Sequence, residues 1–188
     1  ICAYEFQGYW KDVGTLSSYW EANMELISLI PEFNLYEEYW RVYTKSESIP
    51  PQFIGKNGKV SGSIVGEETE IYGEVTNSVI GSDVVIGEGA VIKDSIIMNH
   101  TRIGDNAVIN KAVIAENCEI EDCVELGVFE EADNTVAPHI YNNGLVAVGQ
   151  NSYIPYKVKV GKNVAIFGKT TPDDYPDRVL PSGEYLVK

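Results

Sequence analysis

From Ile80 the chain repeats its own hydrophobic pattern every 17 residues. Bulky aliphatics stand at Ile80, Ile86, Ile92, Ile97, Ile103, Ile109, Ile114, Ile120 and Leu126. The step between them is six, six and then five residues, and the short step returns at the same corner each time. This matches neither the helical period of about 3.6 nor the strand period of about 2. It is the spacing of a chain that turns a corner at every step, so that three sides close one triangular coil and successive coils stack as parallel strands. The aliphatics then point inward and pile into ladders. The residue four further on is also expected inside and must be modest in size: Val84, Ala90, Thr101, Ala107, Val113, Cys118 and Val124 fit, with Ile96 the largest. Corners need compact residues or ones that tolerate positive φ, and Gly81, Gly87, Gly89, Gly104, Asp83, Asn106 and Asn117 supply them.

The pattern resumes at Val148, Ile154, Val160 and Ile166, and a looser set precedes it at Ile54, Val60, Val65, Ile71 and Val75. Between these stretches the rhythm lapses, which predicts a loop thrown out near residues 128–146. A β-sandwich of short strands does not keep so strict a step. Upstream the periodicity changes. Leu16, Tyr19, Trp20, Asn23, Met24 and Ile27 share one helical face, with Ser17, Ser18, Glu21, Glu25 and Ser28 opposite. Thr15 or Gly14 starts this helix and Pro31 ends it. One amphipathic helix cannot bury such a face by itself, so a partner is expected in sequence upstream. The segment 32–53 is rich in aromatics (Phe33, Tyr36, Tyr39, Trp40, Tyr43) and runs to Pro50-Pro51, as a connector packed against something does.

Composition narrows the partners. Asp plus Glu total 28 against 14 for Lys plus Arg, a net charge of −14. That field repels a phosphate backbone or an anionic membrane surface, so neither nucleic acid nor membrane is expected. No window approaches the roughly 18 apolar residues of a membrane span, and no signal-peptide pattern is visible. Cys2, Cys118 and Cys123 lack paired metal-ligand spacing and fit a reduced compartment, so the cytoplasm is expected. Cys118 falls at an inward small-residue site and reads as an inert core thiol. The chain opens Ile1-Cys2-Ala3-Tyr4 without Met, as a piece of a larger polypeptide would.

Two resemblances carry the reading further. The Ile-Gly-x-x-Ala/Thr-Val hexads resemble the hexapeptide repeats of left-handed parallel β-helix proteins; the hand comes from that likeness, because ordinary parallel crossovers are right-handed. The stretch Tyr9-Trp10-Lys11-Asp12-Val13-Gly14-Thr15, followed by Tyr19-Trp20-Glu21-Ala22-Asn23, resembles the last active-site segment of the ADP-glucose pyrophosphorylases, the bacterial catalytic type of glucose-1-phosphate adenylyltransferase. With the aromatic connector and the Pro-Pro approach to the repeats, the likeness spans nearly the whole chain. It implies three parts: residues 1–31 as the tail of a catalytic nucleotidyltransferase domain, 32–53 as connector and 54–188 as a mainly β, left-handed β-helix domain.

The resemblance also implies a chemistry. The family joins ATP and glucose 1-phosphate into ADP-glucose and pyrophosphate for glycogen synthesis. Charge gathers on phosphate oxygens, so positioning, Mg²⁺ and cationic side chains carry the reaction. Asp12 would be one Mg²⁺ carboxylate and Trp10 would lie beside the sugar phosphate, whereas Tyr9 and Lys11 read as packing and surface residues. The family's glycine-rich nucleotide loop and sugar-phosphate lysine are not in this sequence, so the chain by itself is expected to be inactive. The β-helix would regulate and oligomerise, as a tetramer or with a paralogous subunit, and Arg102, Lys111, Lys157, Lys159 and Lys162 are candidate contacts for a phosphorylated effector. Other nucleotidyltransferases of sugar 1-phosphates share part of the pattern. A hexapeptide acyltransferase using His100 or His139 as base is the alternative from another class. A γ-class carbonic anhydrase needs three zinc histidines and this chain has two.

Overall fold

The ladders stack as the spacing predicts. In the computed structural model, which describes residues 2–28, 30–35, 37–39 and 49–188, Ile86, Ile103 and Ile120 pair in register on successive parallel strands. Ile92, Ile109 and Leu126 do the same, as do Ile80, Ile97 and Ile114. All nine are buried. The result is a parallel β-solenoid with three faces. The first face holds six strands, from Phe53–Ile54 to Tyr153–Ile154; the second holds seven, from Lys59–Ser61 to Val179–Leu180; the third holds seven, from Ile64–Val65 to Tyr185–Val187. Strands of two to four residues have little stability of their own, so each coil depends on burying its ladder residues against the next. Tyr36, Trp40 and Tyr43 of the aromatic connector lie outside the described residues.

The looser N-terminal set is in register too. Ile54 pairs with Ile71 and Ile71 with Ile86; Val60 pairs with Val75 and Val75 with Ile92. The irregular spacing comes from one tight corner. Ile71 and Val75 are four residues apart, and a Cβ at Gly73 would meet the Ala90 carbonyl oxygen at 2.3 Å. Glycine fits there because nothing larger does. The corner residues Asp83, Gly89, Asn106 and Asn117 all have positive φ.

Two of the expected inward positions are corrected. Ile96 and Val113 point outward and join a second apolar cluster with Leu145, separate from the interior. The reason is parity. At the five-residue step the residue four after a ladder aliphatic directly precedes the next one on the same strand, and successive strand residues face opposite sides. The inward corner position there falls to Ser78, Ser95 and Ala112, all fully buried. The Ser78 hydroxyl accepts the Ser95 N–H at 3.1 Å, and the Ser95 hydroxyl accepts the Ala112 N–H at 3.1 Å.

The outward row of the third face is therefore Ile64, Val79, Ile96, Val113, Ala147, Ala165 and Tyr185, without a charged residue. The amphipathic helix Leu16–Leu26 covers part of it: Leu16, Tyr19, Trp20 and Met24 pack with Val79, Ile96 and Val113. The partner expected in upstream sequence is thus the solenoid itself. The Trp20 indole N–H donates to the Asp94 carbonyl at 2.8 Å, and the Ser17 hydroxyl donates to Asn142 Oδ1 at 2.6 Å, fixing the helix along and across the face. Thr15 is its N-cap, in a capping box with Ser18. The helix stops at Leu26, with Ile27 as C-cap, ahead of Pro31.

The segment between the strands Glu125–Leu126 and Val146–Val148 folds back along the solenoid instead of standing away from it. Buried Asn134 donates to the Asn163 carbonyl at 2.8 Å and accepts from the Val136 and Ala137 N–H groups. At the C-terminal end, Tyr175 enters the core in the place of a strand aliphatic. Its hydroxyl lies 2.7 Å from Thr170 Oγ1, and burial pushes its pKa up to about 12.

Truncating a mid-solenoid ladder residue should cost far more than truncating one in the first coil. Ile109→Ala removes a fully buried side chain between two coils and should lose about 3–5 kcal/mol in urea unfolding. Ile54, 48% exposed, should lose about 1 kcal/mol on the same change. Equal losses would mean that the coils do not share one core.

Candidate functional site

The motif residues form one exposed strip held against the back of the docked helix. Lys11 Nζ bonds the Glu25 carboxylate and lies 3.8 Å from Glu21, and the Tyr9 hydroxyl donates to the other Glu25 oxygen at 3.2 Å. The Tyr9 ring also stacks on Phe33, with centroids 5.8 Å apart and planes at 28°. The Lys11 ammonium holds the Glu25 carboxyl below the usual carboxylate range, and the Glu25 bond raises the Lys11 pKa. The packing and surface roles expected of Tyr9 and Lys11 are thus observed, with Glu25 as the residue they share. The sequence placed Glu25 on the polar side of the helix; its engagement depends on how the strip folds back.

Between the two anchors Trp10 projects outward, 76% exposed. Asp12 follows, also exposed, with Oδ1 accepting the Gly14 N–H at 3.0 Å. That bond engages Oδ1. A Cβ at Gly14 would sit 3.2 Å from Asp12 Oδ1, so a bare glycine suits this turn. The strip can offer one hard oxygen ligand and one large exposed aromatic surface. Among the described residues no group of three or more His, Cys, Asp or Glu could hold a metal.

The other candidates are dispersed. His100 Nδ1–H donates to Asp83 Oδ2 at 2.8 Å and Arg102 donates to Asp83 Oδ1 at 2.6 Å, in a corner cluster linking two coils. His139 is exposed on the loop. Lys111 lies over the Trp20 ring at 5.3 Å, and Lys162 flanks Gly144. Lys157 and Lys159 do come together, in a cleft of about 400 Å³ with Cys123, Glu125 and Asp177, and with Arg178, which the sequence did not single out. Lys159 pairs with Glu125 at 2.8 Å, and Lys157 lies over Tyr156. Cys118 is buried, its thiol directed at the Gly149 carbonyl at 3.1 Å, and burial raises its pKa as an inert core thiol requires. Among the described residues no helix is long and apolar enough to cross a membrane.

A parallel solenoid of hexapeptide spacing carrying a docked helix defines a hexapeptide-repeat protein. Residues 50–148 match the GlmU-like, C-terminal hexapeptide family, and the chain belongs to that family. The whole chain is also similar to glucose-1-phosphate adenylyltransferases: 63% identical over 188 residues to that of Lachnospira eligens, 51% over 187 to that of Thermotoga maritima and 42% over 186 to that of Acetivibrio thermocellus. The matches cover 99–100% of this chain and 44% of each relative, in its C-terminal portion. The chain thus spans less than half the length of these relatives.

The corner cluster gives a pH test. The Asp83 carboxyl is held below its usual range, first by the His100 hydrogen bond and then by Arg102. The folded form therefore gives up this proton more readily than the unfolded chain. The contribution is present above the unfolded carboxylate value of about 3.9 and is lost as pH falls through the lower folded value. The melting temperature of Asp83→Asn should lie below wild type at pH 5–6, and the gap should close as pH falls well below 4. A gap that stays constant in thermal melts across that range would show that the carboxylate charge does not act.

Proposed function

We propose that this chain is the C-terminal regulatory and oligomerising portion of a glucose-1-phosphate adenylyltransferase of glycogen synthesis, and that it lends one edge to the catalytic site. One observation supports this most directly. The segment carrying Trp10 and Asp12 is exposed and anchored on both sides of Trp10, while the solenoid ladders are closed and self-sufficient. An exposed large aromatic next to a fixed carboxylate costs solubility and supports no core, but it suits a site completed by another unit.

The reaction joins the phosphate oxygen of glucose 1-phosphate to the α-phosphorus of ATP and releases pyrophosphate. The chain's own residues do two things in it. Trp10 packs against the sugar phosphate and orients it, and Asp12 offers Oδ2 as one oxygen ligand while Gly14 holds Oδ1. Mg²⁺ suits such an oxygen, binding through one or two carboxylates together with phosphates and water, and neutralises charge on the phosphate oxygens. A single carboxylate fits a shared site, with the remaining ligands coming from substrate and from the upstream portion that the relatives possess. The rest of the proposal rests on the resemblance to the relatives: assembly into a tetramer or with a paralogous subunit, an allosteric role for the solenoid, and a cytoplasmic location. The acyltransferase alternative is not favoured, because the whole chain is similar to adenylyltransferases.

A chimera tests the reading. This chain should replace the C-terminal portion of the Lachnospira eligens relative and yield ADP-glucose from ATP, glucose 1-phosphate and Mg²⁺, whereas the 188-residue chain on its own should not. Asp12→Asn in the chimera should lower kcat by about 100-fold or more. A folded chimera without turnover, or one in which Asp12→Asn retains full activity, would refute it.

A further inference from the structure

We infer that Glu25 is a positioning residue that sets Trp10 and Asp12 for the reaction by gripping the two side chains on either side of Trp10; this rests on the function proposed above. Both Glu25 oxygens are engaged, one by Lys11 Nζ and the other by the Tyr9 hydroxyl. Residues 9 and 11 therefore face the helix, and Trp10 between them is exposed. Asp12 comes next, with its carboxylate set by Gly14. The same helix is fastened on its other side to the solenoid through Trp20 and Ser17. Glu25 is where the outward strip meets that frame.

An ion pair this exposed adds little to stability. Its effect lies in geometry, where a displacement of about 1 Å at reacting groups can cost up to 100-fold in rate. The anchor is redundant for folding and specific for orientation. A purely structural contact would show the reverse, with melting affected and turnover spared. Glu21, one helical turn earlier, lies 3.8 Å from Lys11, whereas the Tyr9 hydroxyl bonds Glu25.

The test uses the chimera described above and the 188-residue chain in parallel. Glu25→Ala in the chimera should lower kcat by about 10-fold or more with KM for glucose 1-phosphate changed less than about 3-fold. Glu25→Asp should restore most of the loss. Lys11→Met should give a comparable loss, and the double variant should be no worse than either single one, because both remove the same clamp. In the 188-residue chain, Glu25→Ala should speed amide exchange at residues 9–12 while leaving the melting temperature within about 2 °C of wild type. Turnover within about twofold of wild type, fully additive losses, or unchanged exchange would each overturn the positioning role. Failure of the underlying reading looks different: Asp12→Asn would then keep full turnover whatever stands at position 25.

Discussion

The inward aliphatic ladder has to continue unbroken from coil to coil, and one corner of each coil is a residue short. These two conditions decide the outside of the molecule as well as the inside. On the third face the ladder residue is preceded on its own strand by a residue that must face out, and this outward row is Ile64, Val79, Ile96, Val113, Ala147, Ala165 and Tyr185. The first face, with the usual step, shows Phe53, Glu70, Val85, Arg102, Glu119 and Tyr153 at the equivalent places. An apolar row of that length has to be covered, and the helix Leu16–Leu26 does so over its middle. The helix in turn cannot hold its shape without a surface to bury against. Each element supplies what the other lacks.

Polar groups at the corners follow the same repeat. A chain that turns three times per coil would leave backbone N–H groups pointing into a dry interior, so small hydroxyls and carboxamides stand at those points. Thr101 Oγ1 donates to the Ala115 carbonyl and accepts the Cys118 N–H one coil on. Asp105 and Asp122 accept N–H groups from Glu88 and Asp105 in the coil before. Among the described residues no buried side-chain polar atom lacks a partner. Part of the acidity of this chain therefore serves the corners, where a carboxylate accepts a backbone N–H.

The solenoid was legible because its signal is a count: eight Ile and one Leu at fixed steps admit few other folds. The helix was legible for a similar reason, and its cap and inner face agree with the pattern. The facing of Ile96 and Val113 was misread because a spacing rule valid at six-residue steps was carried into a five-residue one. The correct facing could have been read from the dipeptides Val79-Ile80, Ile96-Ile97 and Val113-Ile114, because the third face alone carries no charged residue at the position before its ladder aliphatics, where the other two carry Glu, Lys or Arg. Joined to the unpartnered helix, those pairs would have named its docking surface. Trp10 and Asp12 were legible through their motif. Glu25 was not, because nothing in the order of residues says that a strip 14 residues upstream folds back onto that carboxylate.

A continuous set of contacts runs from the ladder to Asp12: Ile96 to the helix face, Trp20 to the Asp94 carbonyl, Glu25 to Lys11 and Tyr9, and then the turn at Gly14. Contiguity by itself transmits nothing; some link must have two arrangements of similar energy. The inner links are buried or bonded to backbone in a close-packed face, which resists partial movement. The outer link is an exposed carboxylate shared between a lysine and a tyrosine, with a second glutamate 3.8 Å from the same lysine. A lysine that can turn between two carboxylates is the element of this path with alternative arrangements. The coils, whose ladders hold one register, offer no such choice of partner.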